Sequence, residues 1–234
     1  MIPALSDTSL RTIRRVWAER MGTSEALWER DGVTTVRWDT VPAASVVGIA
    51  GALLVGAPPS VLERIRDLDL DSLLDSGALM NALEDLGPTM FGAAELAYLD
   101  AGTFRPSHSR TAVAAARDEV KRMILALPAS EREESGLEEM DRWWVVREPD
   151  GTPVAVAGCE TWNGTLAHLG IAVVPIARGT GAGVAAASAA ITQALDDGLI
   201  VQWRSEVRNQ ASRRLGARLG AVPLGRQVTV DLAM

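Results

Sequence analysis

Hydrophobic positions follow a helical spacing near the start of the chain and form strand-like runs after it. Ser6, a residue type that favours helix N-caps, precedes apolar residues at three- and four-residue steps, which predicts a helix ending near Gly22. These apolar residues are Leu10, Ile13, Trp17 and Met21. Apolar runs at 34–38 and 45–55 predict two strands, and a helix is predicted at 59–65. None of these segments carries a motif that points to chemistry.

Helices and strands alternate in the second half of the chain. Thr111 begins an amphipathic pattern that predicts a helix up to Pro128. Apolar runs at 143–148 and 153–162 enclose the turn sequence Pro149-Asp150-Gly151, which is typical of a β-hairpin. The remaining elements are predicted in the order strand, glycine-rich loop, helix, strand, helix and strand, at 169–175, 178–183, 184–195, 199–207, 210–219 and 225–232. This order predicts a mixed sheet flanked by helices.

The segment between these two regions is predicted to be a domain boundary. Residues 101–106 read Ala-Gly-Thr-Phe-Arg-Pro, and glycine and proline interrupt regular structure. We therefore predict a smaller α/β N-terminal domain of unknown role, 1–104, followed by a C-terminal domain, 105–234. The predicted fold class is α/β (α+β).

One strand, loop and helix in the second half form a predicted anion site. The β-branched run at 169–175 is followed by Arg178-Gly-Thr-Gly-Ala-Gly183 and an alanine-rich helix. Backbone N–H groups without side chains, placed at the positive end of a helix dipole, suit a phosphate or pyrophosphate. A P-loop requires a lysine after the last glycine, and a dinucleotide fingerprint requires Gly-x-Gly-x-x-Gly. The glycines at 179, 181 and 183 fit both motifs poorly.

The loop instead resembles the acyl-CoA loop of the GNAT superfamily of N-acetyltransferases. The matching residues are Arg178-x-x-Gly181-x-Gly183 after a strand that ends in Val-x-Pro. A second signature of that family is similar to Asn209-Gln-Ala-Ser212-Arg-Arg-Leu215 with Leu219-Gly220, although Ala221 replaces the usual aromatic residue. The resemblance covers about residues 105–234.

The resemblance implies an acetyl-CoA site between the strand that ends at Val173 and the strand at 199–207. The backbone amide of Val173 would polarise the thioester carbonyl, and the pyrophosphate would lie on Arg178, Gly179, Thr180, Gly181, Ala182 and Gly183. Asn209 would contact pantetheine, and Ser212 would support the start of the same helix. A purely structural alternative for Asn209 and Ser212 is helix capping.

Direct acetyl transfer to an amine requires a group that accepts a proton from the ammonium form. Two candidates are Glu160, near the end of the hairpin, and His168, just before the glycine-loop strand; His168 is slightly favoured because its ordinary pKa suits neutral chemistry. Both residue types are also common as structural residues on strands. Trp162 and Trp203 are expected to contact the acceptor.

One departure concerns the acid that protonates the departing thiolate. Many family members carry a tyrosine directly after the leucine that corresponds to Leu215, whereas this chain has Gly216. The single tyrosine, Tyr98, lies outside the region of resemblance. Either the thiolate departs unassisted or another residue serves.

Composition narrows the function classes further. The chain of 234 residues has a formal net charge of −7, which argues against nucleic acid as a partner. The single cysteine, Cys159, excludes an internal disulfide and favours a cytoplasmic protein. With only two histidines beside it, the sequence argues against a zinc site. No apolar run predicts a membrane span, and the sequence leaves open whether the chain forms a homodimer. The resemblance to the GNAT superfamily implies that the acidic segment 131–141, which lies between the first helix of this domain and the hairpin, borders the acceptor entrance.

Three functions are compared on this basis. The leading hypothesis is an acyl-CoA-dependent N-acetyltransferase that acts on an amine of a small molecule or a peptide, with acetyl-CoA as cosubstrate and no metal. The first alternative is a non-catalytic acyl-CoA-binding sensor or regulatory protein, suggested by the absent tyrosine. The second, a nucleotide-dependent oxidoreductase, has the wrong glycine spacing and too little chain after Gly183 for a full dinucleotide-binding sheet.

Overall fold

The computed structural model of the protein describes residues 4–29 and 32–233. Contacts within the chain divide it into two compact units. Of the described residues, the first unit contains 4–9, 98–204 and 210–222, and the second contains 10–29, 32–97, 205–209 and 223–233. The sequence prediction of two domains divided between 104 and 105 stays a prediction.

The strands and helices are numbered here in chain order. The strands are β1 (Val33–Arg37), β2 (Ala43–Ile49), β3 (Ala52–Ala57), β4 (Thr89–Leu99), β5 (Ala112–Ala115), β6 (Arg142–Arg147), β7 (Pro153–Trp162), β8 (Leu166–Val173), β9 (Ile200–Glu206) and β10 (Val222–Asp231). The α-helices are α1 (Asp7–Arg20), α2 (Pro59–Ile65), α3 (Leu70–Leu73), α4 (Ser76–Ala82), α5 (Arg117–Leu125), α6 (Ala129–Ser135), α7 (Ala182–Asp196) and α8 (Gln210–Leu219). Three short 3₁₀ segments lie at Glu25–Glu29, Glu84–Leu86 and Pro175–Ala177. The predicted mixed α/β class is confirmed.

The second unit is built around the strands β1, β3, β2, β10 and β4, in that spatial order. β2 and β3 are antiparallel and are joined by Ala50 and Gly51, both with positive φ, so the predicted single strand at 45–55 is two strands. Every residue of β2 and β3 is buried. Side chains of α2, α3 and α4, among them Val61, Leu73 and Leu79, pack with them into one apolar cluster.

The first unit contains the strands β9, β8, β7, β6 and β5, in that spatial order. β5 to β8 pair antiparallel, and β8 pairs with β9 in parallel, with α7 as the connection. α7 is rich in alanine, and most of its residues are buried, which allows it to lie close to the sheet. On α5, Val120 and Ile124 pack with Trp143 and Val145 of β6.

One predicted element of this unit is wrong in part. The sequence pattern favoured a helix from Thr111, but residues 112–115 form β5 on the edge of the sheet and α5 begins only at Arg117. β5 pairs with β6 over its whole length, from Ala112 opposite Val146 to Ala115 opposite Trp143. Tertiary pairing with β6 therefore overrides the local helical preference of the alanines.

Candidate functional site

A row of polar side chains crosses three neighbouring strands of the first unit. Glu160 on β7 lies directly opposite His168 on β8, and His168 is in turn paired with Gln202 on β9. Residues that are directly opposite on neighbouring strands project from the same face of a sheet. The two base candidates from the sequence are therefore neighbours on one face, and both are half-buried.

A hydrogen-bonded chain continues from His168 into the interior. Nδ1 of His168 lies 3.0 Å from Oε1 of Gln202, and Nε2 of Gln202 donates to the hydroxyl oxygen of Tyr98 at 3.1 Å. Gln202 and Tyr98 are both fully buried. Sequence reasoning missed Gln202, because a single glutamine on a strand gives no local signal of its partner.

The predicted acceptor residue Trp162 also lies beside His168. The rings of Trp162 and His168 are stacked, with centroids 4.5 Å apart and planes inclined by 21°. Trp162 is two residues after Glu160 on β7 and therefore projects from the same face as Glu160 and His168. The structure thus brings three of the predicted site residues together.

β8 and β9 separate just beyond this cluster. Their parallel pairing covers Leu166 to His168 on β8 and Ile200 to Gln202 on β9. β8 nevertheless continues to Val173 along β7, and β9 continues to Glu206. The last pair of the register, His168 with Gln202, therefore marks the point where the two strands part, as expected for the predicted cleft.

The glycine loop leads into the N-terminus of α7. Gly179 and Gly181 have φ angles of 79° and 86°, and Gly181 caps α7 in the left-handed conformation without a side-chain hydrogen bond. These φ angles favour glycine, because a β-carbon is strained in this region. The N–H groups of the first helical turn, together with the helix dipole, suit an anionic group. The geometry of the loop therefore suits an anionic group, and its assignment to the pyrophosphate of acetyl-CoA stays a prediction.

Gly183 has a different structural reason. It lies inside α7, and a β-carbon at this position would come within 2.7 Å of Cγ2 of Val173 and 3.3 Å of Cδ1 of Leu215. The absence of a side chain at Gly183 thus allows the start of α7 to approach the end of β8 closely. Packing therefore requires glycine here.

Two arginines lie at the glycine loop. Arg178 donates from Nη2 to Glu131 of α6 at 2.6 Å and from Nε to the carbonyl oxygen of Val173 at 3.3 Å. Arg110 donates from Nη1 to the hydroxyl of Thr180 at 3.4 Å and from Nη2 to Glu148 at 3.1 Å. The sequence predicted Arg178 but not Arg110, which lies about seventy residues upstream of the loop in a segment without a motif.

The first residues of the second signature lie at the start of α8. Asn209 directly precedes α8, and its backbone N–H donates to the carbonyl oxygen of Glu206 at 2.9 Å. The hydroxyl of Ser212 accepts a hydrogen bond of 3.2 Å from Nε1 of Trp203. Trp203 follows Gln202 on β9, so its side chain projects from the opposite face to that of Gln202 and His168. The predicted contact of Trp203 with the acceptor stays a prediction.

Trp203 also explains why position 216 has no side chain. The indole lies so close to Gly216 that a β-carbon there would be 2.9 to 3.0 Å from three of its ring atoms. Trp203 is 3% exposed and is therefore held firmly by its surroundings. The indole fills the space directly over the position at which many members of the resembling family carry a tyrosine.

Within residues 4–29 and 32–233, His, Cys, Asp and Glu side chains form no group of three or more that could hold a metal ion. None of the helices in these ranges combines the length and the apolar character that a bilayer crossing requires. Cys159 is a buried free thiol; burial raises its pKa, and the nearby Arg142 opposes that rise.

The chain was compared with protein families and with known proteins. The model of the acetyltransferase (GNAT) family matches residues 103–221. No curated protein matches the chain. The fold resembles a GCN5-related N-acetyltransferase-like protein from Streptococcus suis, with a TM-score of 0.51, 16% identity, and coverage of 96% of this chain and 98% of that chain.

Two other solved structures resemble a smaller part of the chain. A protein assigned to the GNAT family from Novosphingobium aromaticivorans has a TM-score of 0.50 and 20% identity, covering 63% of this chain and 69% of that chain. A GCN5-related N-acetyltransferase from Kribbella flavida has the same TM-score and identity, covering 67% of this chain and 64% of that chain. At these identities the solved structures support the fold, while the family model spans more than half of the 234 residues. We conclude that the chain belongs to the GNAT family of acetyltransferases, for which acetyl-CoA is the acetyl donor.

Proposed function

We propose that the protein transfers an acetyl group from acetyl-CoA directly to an amine of a small molecule or a peptide. The observation that carries this proposal is the cluster of His168, Glu160 and Trp162 at the point where β8 and β9 part. A strand opening beside a glycine loop offers room for a thioester, and this cluster places proton acceptors at the same opening. Family membership decides against the oxidoreductase alternative.

Several groups of this chain are suited to hold the donor. Bound acetyl-CoA would supply the activated acetyl group as a thioester. Residues 178–183 and the first turn of α7 provide backbone N–H groups for the pyrophosphate, and Arg178 and Arg110 provide positive charge beside them. In the same proposal, the backbone at Val173 orients the thioester carbonyl, and Asn209 contacts pantetheine.

The cluster around His168 is suited to the acceptor. An amine attacks only as the neutral base, so its ammonium form must first lose a proton. The imidazole of His168 accepts this proton, and the carboxylate of Glu160 on the neighbouring strand stabilises the charge that results. Trp162 presents a large half-buried aromatic surface beside them, and aromatic faces attract cations. We therefore propose a cationic amine as acceptor.

The leaving group requires less help. A free thiol has a pKa of about 8.5, so a thiolate departs from a carbonyl without complete protonation in the transition state. The absence of a tyrosine at position 216 is compatible with this chemistry. The pH dependence should then follow the loss of a proton from the catalytic base or from the acceptor amine. We therefore expect kcat/KM to rise with pH and to level off.

A second function is favoured by one observation. Trp203 fills the space over Gly216, so this chain has no room there for a tyrosine. A protein that binds acyl-CoA as a signal, without turnover, would tolerate this change. The experiment below therefore distinguishes an acetyltransferase from a non-catalytic acyl-CoA sensor.

The experiment measures free thiol released from acetyl-CoA in the presence of diverse primary amines and peptides. We expect turnover with at least one amine and a loss of at least tenfold in kcat for His168→Ala, with acetyl-CoA binding unchanged by calorimetry. His108→Gln is the matched control, because His108 is exposed. Acetyl-CoA binding without turnover of any amine would support the sensor instead.

A further inference from the structure

The interior beside His168 contains two polar side chains in an apolar environment. Gln202 and Tyr98 are each 0% exposed. The residues next to them on the same strands, Val201 on β9 and Leu99 on β4, are also fully buried. A buried amide or hydroxyl lowers stability unless it is hydrogen-bonded. Here the amide bonds to His168 at one end and to Tyr98 at the other. An apolar pair would fill the same space without this requirement, whereas the polar pair gives His168 a fixed hydrogen-bond partner.

The orientation of the Gln202 amide determines the protonation pattern of His168. The amide nitrogen Nε2 donates to the hydroxyl oxygen of Tyr98, which leaves the oxygen Oε1 directed at Nδ1 of His168. An amide oxygen can only accept. With the amide in this orientation, Nδ1 carries the proton and Nε2 of the neutral imidazole keeps its lone pair.

We infer that Gln202 and Tyr98 are positioning residues that hold neutral His168 in its Nδ1–H tautomer, so that Nε2 is the atom that accepts the acceptor's proton. This inference rests on the proposed function for its catalytic meaning. Tyr98 acts on the base through Gln202, and it is not the missing acid of the leaving group. The stacked ring of Trp162 restricts the plane of the imidazole in the same arrangement.

The hydrogen-bond network accommodates both states of the reaction. When the ammonium N–H bond breaks and an Nε2–H bond forms, the amine becomes neutral and His168 becomes an imidazolium. Nδ1 carries a proton before and after this transfer, so its hydrogen bond to Gln202 need not rearrange. Two titratable groups face this arrangement: Glu160 lies opposite His168 on β7, and Tyr98 ends the hydrogen-bonded chain. A preorganised network that does not move during proton transfer lowers the cost of the step.

The test reads the tautomer directly by ¹⁵N–¹H NMR of the imidazole nitrogens. The chain has two histidines, and the variant His108→Gln leaves the signal of His168 alone. In this variant we expect the neutral ring to carry its proton on Nδ1. A proton on Nε2 would mean that the amide has the reverse orientation and would overturn the inference.

Two further substitutions address the positioning role. Gln202→Leu removes both hydrogen bonds, and we expect a mixture of tautomers with kcat lowered at least tenfold and the KM for acetyl-CoA unchanged. Gln202→Glu keeps an acceptor towards Nδ1, and we expect it to retain the Nδ1–H tautomer. An unchanged tautomer and kcat in Gln202→Leu would overturn the inference.

A gentler variant covers the case in which Gln202→Leu does not fold. Tyr98→Phe removes a single hydroxyl from a ring that otherwise keeps its volume, and we expect a partial shift away from the Nδ1–H tautomer. No shift would show that Tyr98 does not hold the amide. The NMR readout needs no turnover, so an absence of acetylation would refute the proposed function while the tautomer still decides this inference.

Discussion

At the scale of single residues, Arg178 connects the glycine loop with the acidic segment that the sequence placed at the acceptor entrance. Its guanidinium is bound to Glu131, so this carboxylate lies at the loop that the pyrophosphate is proposed to occupy. An anionic ligand that binds Arg178 must compete with Glu131. The acidic segment, which is predicted to border the acceptor entrance, therefore also contacts the proposed donor site.

We expect Glu131→Gln to tighten binding of CoA. An exposed ion pair is worth about 0.2–1 kcal/mol, so removing the competing carboxylate should raise affinity by up to about fivefold. Calorimetry at low salt measures this effect, and Glu133→Gln is the matched control, since Glu133 is an exposed carboxylate on the same helix. Weaker binding of CoA by Glu131→Gln would show that Glu131 positions Arg178 for the ligand.

The indole of Trp203 restricts which residue position 216 can carry. Because a β-carbon at position 216 would press on the indole, Gly216→Ala should lower the free energy of unfolding by about 1–3 kcal/mol. The same substitution in a Trp203→Ala background should cost much less, since the obstructing ring is gone. Urea unfolding of the four proteins of this cycle measures the difference. Equal costs in the two backgrounds would mean that the ring does not determine the residue at 216.

At the scale of elements, the contact between α7 and β8 sets the position of the glycine loop. Gly183→Ala introduces a methyl group against Val173, which should destabilise the protein by about 1–3 kcal/mol and weaken CoA binding by displacing the helix start. Val173→Ala in the same chain removes the obstructing methyl groups and should restore part of both losses. Thermal unfolding measures the stability of Gly183→Ala and of the double variant, and calorimetry measures their affinity for CoA. A double variant no better than Gly183→Ala would contradict the packing explanation.

At the scale of the whole molecule, Asp100 links the start of the chain to the turn after β4. Burial acts to raise the pKa of Asp100, but hydrogen bonds from Ser6, Ser9, Gly102 and Thr103 together lower it. A carboxyl group whose pKa is lower in the folded state stabilises the fold above its unfolded pKa of about 3.9, and this stabilisation is lost as the pH falls through the folded value.

We therefore expect Asp100→Asn to lower the free energy of unfolding by about 1–3 kcal/mol at neutral pH. The difference from the parent protein should shrink as the pH falls below about 4, because the parent then loses the same charge. Denaturant unfolding of the parent protein and of Asp100→Asn, from neutral pH to below about pH 4, measures both free energies of unfolding. Asp196→Asn is the control, as it removes an exposed carboxylate at the end of α7. A difference that is independent of pH would contradict the role of the charge.

The predicted division between 104 and 105 gives the last expectation at this scale. In the second unit β10 pairs with β2, and Val228 and Val230 are buried in its apolar cluster. A fragment of residues 105–234 contains β10 without β2, so we expect it to aggregate or to lack sharp thermal unfolding. Fragment 105–221, which lacks β10, should aggregate less. Cooperative unfolding of 105–234 alone would instead support an independent domain with this boundary.

Several elements could be predicted from the sequence because their signals lie within a few residues. The turn at 149–151, the glycine loop and the alanine-rich helix are each encoded by neighbouring positions, and the structure has β6, β7 and α7 close to where the sequence predicted them. Prediction from neighbouring residues fails where the structure of a segment depends on pairing with a distant strand. β5 was predicted as helix, because nothing in 112–115 shows that β6 lies beside it.

The sequence by itself therefore determined the family, the hairpin of β6 and β7, the glycine loop and the helix α7 that follows it, since these depend on motifs of neighbouring residues. Only the tertiary structure decided which polar groups meet. His168, Gln202 and Tyr98 lie on three strands, and Gln202 and Tyr98 are 104 positions apart in the chain. Their contact depends on strand order and register, and a shift of one residue would turn each side chain to the other face. The physical reason is that register is fixed by the packing of the whole sheet and not by any local segment.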